Sequence, residues 1–292
     1  MPERLDVTDL RNSMADPLVE GVDTDAQSRL VLVEASADGV AIVTINRADR
    51  RNAFNAEVIG ALREAFETLE GADGVRVIFV TGAGGTFSGG ADLEWMRDAA
   101  DYTEADNRED AMAMARMLKH LHDLPVLTVA LVEGAAFGGG AGLAAACDMA
   151  IATSDARFAF SEVKLGLVAA TISPYVVAAV GSRRARGLFA LGRGFDAADA
   201  KRFGLIDMVV EGAAGLAAAR DAIVADIMSC GPAAVGEAKR LVDHVAGRHI
   251  DHALMTDTAH WIARVRVGPE GQEGVRAFLE QRRPDWMGAA GE

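Results

Sequence analysis

Glu162 is a carboxylate in apolar surroundings. It stands in FAFSEVKLGL, between Phe160 and Val163. A carboxyl that loses its water has its pKa raised, toward values useful for moving protons near neutral pH. A surface glutamate, or an ion pair with nearby Lys164, fits the same letters. Two glycine-rich stretches carry a second kind of chemistry: TFSGGAD (Thr86–Asp92) and AFGGGAG (Ala136–Gly142). Each follows a strand-like run and precedes a helical pattern. Glycine permits close backbone approach, and a helix N-terminus presents unpaired N–H groups. Two such loops converging on one carbonyl make an oxyanion hole. Tight helix–strand packing accounts for the same glycines without any ligand. Neither loop continues into the Gly-Lys-Ser/Thr of a P-loop, and neither sits in a dinucleotide fingerprint.

These residues need elements to hold them. VAIVTI (Val40–Ile45) and VRVIFVTG (Val75–Gly82) read as buried strands. Between them Asn55 is placed to cap a helix whose Val58, Ile59, Leu62, Ala65, Phe66 and Leu69 recur at helical spacing. PVLTVALVEG (Pro125–Gly134) and MAIAT (Met149–Thr153) are strand-like, and an Ala-rich helix lies between them. The segment Asp98–Asp110 is charged and starts without periodicity, as in a mobile surface piece or lid. A helix follows through Met117 and Leu121. The alternation predicts an α/β core, and the pattern is helical from about Phe195 onward. The expected division is a tail or arm over 1–28, a core over 29–218 and a helical region over 219–292.

Composition narrows the function. Half of the 292 residues are hydrophobic, and the net charge is −14. That charge repels phosphate backbones, so no nucleic-acid partner is expected. A small anion needs only a few local donors. No apolar run is long enough to cross a membrane, and the N-terminus lacks a signal-like apolar stretch, so a cytoplasmic protein is expected. Cys147 and Cys230 fit reduced thiols, with Cys147 buried. His120 and His122 are two apart, and the other histidines lie in the helical end, so no metal is expected.

Taken together, TFSGGADLEWM, PVLTVALVEGAAFGGGAGLAAACDMAIATSDARFAFSEVKLGL, FDAADAKRFGLIDMVV and EGQEGVRAFLEQRRPDW resemble the crotonase (enoyl-CoA hydratase/isomerase) superfamily. The resemblance runs from about Leu30 to Trp286. Within it, SEVKLGL with TISPYVV is most similar to bacterial 3-methylglutaconyl-CoA hydratases. The resemblance implies a spiral of strand–strand–helix units with a helical C-terminal region, in trimers or paired trimers. It implies an acyl-CoA thioester substrate and no separate cofactor, coenzyme A being part of the substrate. The amides of Ala91 and Gly139 would hold the thioester oxygen, with Gly89, Asp92, Leu93, Gly138 and Gly142 around the substrate. Arg50 and Arg51 would lie at the adenine-ribose end. Arg282 and Arg283 are either phosphate contacts or surface charge.

One position departs from the resemblance. Family hydratases use two glutamates: Glu162 matches the second, and the first falls on Gly142. Glycine accepts no proton. Either Glu162 serves both proton transfers, with Gly142 leaving room for a branched or carboxylated acyl group, or another acid enters. Asp101, Glu104, Glu109 and Asp110 are the candidates. A third possibility is an isomerase that shuttles one proton with Glu162 alone. A distal substrate carboxylate would need a cation, and Lys164, two residues on from Glu162, would share its side if the segment is a strand. A catalytically silent acyl-CoA-binding or RNA-binding protein is the alternative of another class.

Overall fold

The computed structural model describes residues 29–287 together with the strand Leu5–Asp6 (β1). The tail expected over 1–28 lies outside the described residues apart from that strand. β1 pairs in parallel with Ala72–Asp73 (β4).

The principal sheet has six strands: Val31–Ala35 (β2), Val40–Ile45 (β3), Val77–Gly82 (β5), Leu127–Val132 (β6), Met149–Thr153 (β8) and Met208–Val210 (β11). Their order is β11-β8-β6-β5-β3-β2. β2 and β3 are antiparallel, while β3–β5, β6–β8 and β8–β11 are parallel. A parallel strand covered on both faces reads as a continuous apolar run. Val77, Ile78, Phe79 and Val80 accordingly have no exposed surface. β3 alternates between buried and half-buried positions, as one-sided cover requires.

A second, smaller sheet has three strands. Ala135–Phe137 (β7) pairs in parallel with Arg157–Ala159 (β9), which pairs antiparallel with Gly194–Asp196 (β10). Two isolated parallel bridges extend this ladder, Ser88 with Ala136 and Phe54 with Ala91. The chain thus spirals: a strand in the large sheet, a short strand or bridge in the small one, then a helix. The helix Ala56–Gly71 (α1) starts where Asn55 Oδ1 accepts from the Val58 amide at 2.9 Å, and it buries the six apolar residues expected of it. Leu93–Asp98 (α2) follows the first glycine loop and Gly139–Ala146 (α4) the second.

Between them runs Glu104–Asp123 (α3). Its start corrects the expectation of an irregular segment from Asp98 to Asp110. Thr103 and Asp106 exchange the two bonds of a capping box, Thr103 Oγ1 accepting from the Asp106 amide at 3.2 Å and Asp106 Oδ2 from the Thr103 amide at 3.0 Å. That box starts a helix although the charged letters hide its period. Ser173–Val180 (α5), Ser182–Leu191 (α6) and Ala197–Phe203 (α7) follow.

Two compact units divide the chain: residues 1–124 with 128–221, and 125–127 with 222–292. The boundary falls within Gly212–Ser229 (α8). The second unit holds Pro232–Val245 (α9), His252–Val267 (α10) and Pro269–Leu279 (α11). Glu270 caps α9, its two oxygens accepting from the Ala233 and Ala234 amides at 2.9 and 2.7 Å. Cys147 is a buried free thiol and Cys230 an exposed one. Among the described residues no helix is long and apolar enough to span a membrane.

Candidate active site

The two glycine loops run side by side. Phe87 N donates to Glu133 O at 2.8 Å, Ser88 N to Ala135 O at 2.9 Å and Phe137 N to Ser88 O at 3.0 Å. Ser88 stands opposite Ala136, and the Cβ position of Gly90 lies 3.0 Å from Phe137 O, so the two loops stay side by side as far as Gly90 and Phe137. Phe54 fixes the first loop around Ala91. Phe54 N donates to Gly90 O at 2.7 Å and Asp92 N to Phe54 O at 2.8 Å, which turns the intervening Ala91 amide outward. Gly139 is the first residue of α4, where an N–H has no intrahelical acceptor. Neither amide donates to an acceptor among the described residues. Ala91 is exposed and Gly139 half-buried, while Ser88, Gly90 and Gly140 are buried. Two such donors converging on one carbonyl oxygen would stabilise the negative charge it gains, at roughly 3–4 kcal/mol per donor.

The glycines are needed where backbones meet. A Cβ on Gly140 would lie 2.7 Å from Ser88 Cβ, and one on Gly90 would lie 3.0 Å from Phe137 O. Gly138 has φ +48° and ψ −116°, a conformation that L side chains rarely adopt. Gly89 is held by its amide's 2.8 Å bond to Arg51 O. Asn52, which sequence reasoning missed, braces this corner from within. Buried and at φ +53°, it bonds Ala83 O and Thr86 O through Nδ2 at 2.9 and 2.5 Å. Its own carbonyl accepts from Ser88 Oγ at 2.8 Å.

Glu162 faces this corner. It begins a 3-10 turn, Glu162–Leu165, just after β9. A Cβ on Gly138 would lie 3.1 Å from Glu162 Oε1, so the carboxylate rests on Gly138, the residue before the free Gly139 amide. Its Oε2 is buried with no hydrogen-bond partner among the described residues. Burial pushes the Glu162 carboxyl above its ordinary range, and a bond from its own backbone amide offsets this only in part. A rise of this kind moves a carboxyl toward the range in which it exchanges protons with a substrate.

Other expected residues are placed differently. Gly142 leaves no room for an acyl group. A Cβ there would lie 2.0 Å from Ile172 Cγ2 and 2.4 Å from Ile172 Cβ, so Ile172, 2% exposed, fills that volume. Lys164 does not share a side with Glu162. A 3-10 helix turns about 120° per residue, so residues two apart diverge. Lys164 is exposed and runs its chain along Gly192. The Asp92 side chain is spent internally: 4% exposed, it caps α2 by accepting from the Glu94 and Trp95 amides at 2.7 and 3.3 Å, and it pairs with Arg47. Burial raises the Asp92 carboxyl, but the bonds from Arg47 and the two amides outweigh this and hold it below its ordinary range. Leu93 is 77% exposed. Arg50 is exposed and bonded to Glu94 at 3.1 Å, and Arg51 is exposed. Arg282 is held by Glu273 at 2.6 and 2.8 Å and by Glu280 at 2.8 Å, which marks it as paired surface charge; Arg283 is exposed. Asp101, Glu104 and Glu109 are exposed, whereas Asp110 is half-buried. Among the described residues, no three His, Cys, Asp or Glu side chains gather as a metal would require.

A family model for enoyl-CoA hydratase/isomerase matches residues 35–289. The mitochondrial methylglutaconyl-CoA hydratase of Mus musculus is 30% identical, covering 91% of this chain and 85% of its own. Among solved structures, an enoyl-CoA hydratase from Shewanella pealeana is 35% identical with a TM-score of 0.86, covering 91% of this chain and all of its own. AtuE from Pseudomonas aeruginosa is 34% identical with a TM-score of 0.84, covering 89% of this chain and all of its own. These matches over most of its length show that the chain belongs to the enoyl-CoA hydratase/isomerase family and is an enzyme of the hydro-lyase type.

Proposed function

We propose that the protein reversibly adds water to a 2-enoyl-CoA thioester, with Glu162 exchanging the proton at Cα and the Ala91 and Gly139 amides binding the thioester oxygen. Addition at Cβ sends the π electrons toward that oxygen, so an enolate forms. Donors set in advance favour the enolate over the ground-state carbonyl, which lowers the barrier. The observation that carries this reading is the buried, unpartnered Oε2 of Glu162 in a carboxylate resting on Gly138. Arg50, paired with Glu94, and the exposed Arg51 lie on the loop that would receive the adenine-ribose end of coenzyme A.

A branched or carboxylated acyl group, such as that of 3-methylglutaconyl-CoA, is the finer proposal. The likeness to the mouse methylglutaconyl-CoA hydratase supports it. The support expected from an open space at Gly142 and from Lys164 is withdrawn. Assembly as trimers or paired trimers is likewise proposed; the exposed apolar side chains Ile262, Val267, Val275, Phe278 and Leu279 on α10 and α11 support it. One observation favours a second reading. Ile172 closes the place where a second carboxylate would hold water, which suits an isomerase that moves one proton with Glu162 alone.

A panel of thioesters separates these readings. Crotonyl-CoA, 3-methylglutaconyl-CoA and a 3-enoyl-CoA are incubated with the enzyme and the products identified. Hydration of either 2-enoyl substrate is expected, with 3-methylglutaconyl-CoA preferred. Conversion of the 3-enoyl substrate without any hydration would move the protein to the isomerases.

A further inference from the structure

With position 142 closed by Ile172, a second carboxylate for the attacking water would have to come from elsewhere around the site. Three observations converge on one residue. The buried stripe of α3 is Met114, Met117, Leu118 and Leu121. Stepping back one turn from Met114 reaches Asp110, so a half-buried carboxylate takes the first place of an apolar stripe. The Met114 methyl lies 3.3 Å from the Cβ position of Gly139, so this face of α3 looks onto one of the two free amides. The Trp95 indole on α2, the helix that begins just after Ala91, the other free amide, lies close enough to Asp110 to oppose part of the rise that burial causes. Asp110 is therefore flanked by elements that touch each half of the amide pair, on α3, whereas Glu162 comes from the turn after β9.

We infer that Asp110 is the second acid/base of this site, holding and deprotonating the water that attacks Cβ. This rests on the hydratase reading above. As the O–Cβ bond forms, the Asp110 carboxylate takes one proton of the water. The Cα–Cβ π pair shifts into the enolate at the two amides. The enolate then takes a proton at Cα from Glu162. The proton on Asp110 returns to Glu162 through solvent, and the net change is enoyl thioester plus water to 3-hydroxyacyl thioester. The trend in acidity supports the division of labour. Burial lifts the Asp110 carboxyl, with the nearby Trp95 indole in opposition; Glu162 is lifted with only its own amide in opposition.

The test uses two readouts on the full chain. Hydration needs both carboxylates, whereas exchange of the Cα protons of butyryl-CoA in deuterated water needs Glu162 and the amides alone. Asp110→Asn is expected to lose hydration by about 100-fold or more while exchange stays within about threefold. Asp110→Glu, which keeps a carboxyl, is expected to recover at least about tenfold over Asp110→Asn. Hydration retained in Asp110→Asn overturns the inference. So does a parallel loss of hydration and exchange that Asp110→Glu fails to restore. Glu162→Gln is run alongside: if it loses neither activity, the reading of Glu162 fails, whatever Asp110 does.

Discussion

The closure of position 142 can be measured as a coupling energy. A Cβ added to Gly142 would stand 2.0 Å from Ile172 Cγ2 and 2.4 Å from Ile172 Cβ. Carbon atoms rest about 3.5–4.0 Å apart, so roughly 1.5 Å of movement is demanded of a well-packed side chain. Overpacking of this kind costs about 1–3 kcal/mol or more, which is the expected loss in Gly142→Ala. Ile172→Ala removes Cγ2 but leaves the 2.4 Å clash with Cβ, so it gives partial rescue. Ile172→Gly removes both clashes, although alone it opens a cavity and costs about 2–5 kcal/mol. Gly142→Ala with Ile172→Gly should therefore be more stable than the sum of the singles by about 1–3 kcal/mol. Urea unfolding at one fixed protein concentration measures all four proteins, with equal m-values required for the comparison. Additivity within about 0.5 kcal/mol would mean that Ile172 does not fill the space at 142, and the account of the missing carboxylate would fall with it.

Three further outcomes follow from the same geometry. Asp92→Asn should cost about 1–2 kcal/mol through the weakened cap of α2 and the lost Arg47 pair. Because the folded-state pKa of Asp92 is depressed, its stabilisation is present above the unfolded value and lost as pH falls through the folded one, so thermal melts should show the wild-type advantage shrinking in acid. Glu162 has the opposite sign. Its folded-state pKa is raised, so its ionisation opposes folding as pH rises through that window; Glu162→Gln should melt at or above wild type at neutral pH, with the gap closing below the usual carboxylate range. Gly138→Ala places a side chain at φ +48° and 3.1 Å from Glu162 Oε1, and should lower kcat about 100-fold in steady-state assays while costing about 1–3 kcal/mol in stability.

Much of the scaffold is legible in the letters, because local rules decide it. Asn55 and the apolar stripe after it announce α1, and the unbroken run Val77–Val80 announces a strand covered on both faces. The glycine loops are legible as loops, and the Ser88–Ala136 bridge shows that they run side by side. What escapes is non-local or hidden by backbone choice. Ile172 and Gly142 are thirty residues apart, and nothing near either letter shows that one fills the other's volume. Lys164 was expected beside Glu162 on a strand, yet β9 ends at Ala159 and Ser161, at φ −97° and ψ 7°, turns the chain into a 3-10 helix. The capping box of Thr103 and Asp106 was readable from its spacing but masked by the surrounding charge. Asp110 stood among four candidate acids, and counting one turn back from Met114 singles it out from the other three.

The central claim is that Glu162 is the group that moves the proton at Cα. The most direct measurement is single-turnover hydration of a 2-enoyl-CoA by wild type and by Glu162→Gln, which preserves the shape of the side chain and removes its acid/base function. A loss of about 100-fold or more is expected, with binding of the thioester little changed. Hydration by Glu162→Gln within about threefold of wild type would contradict it.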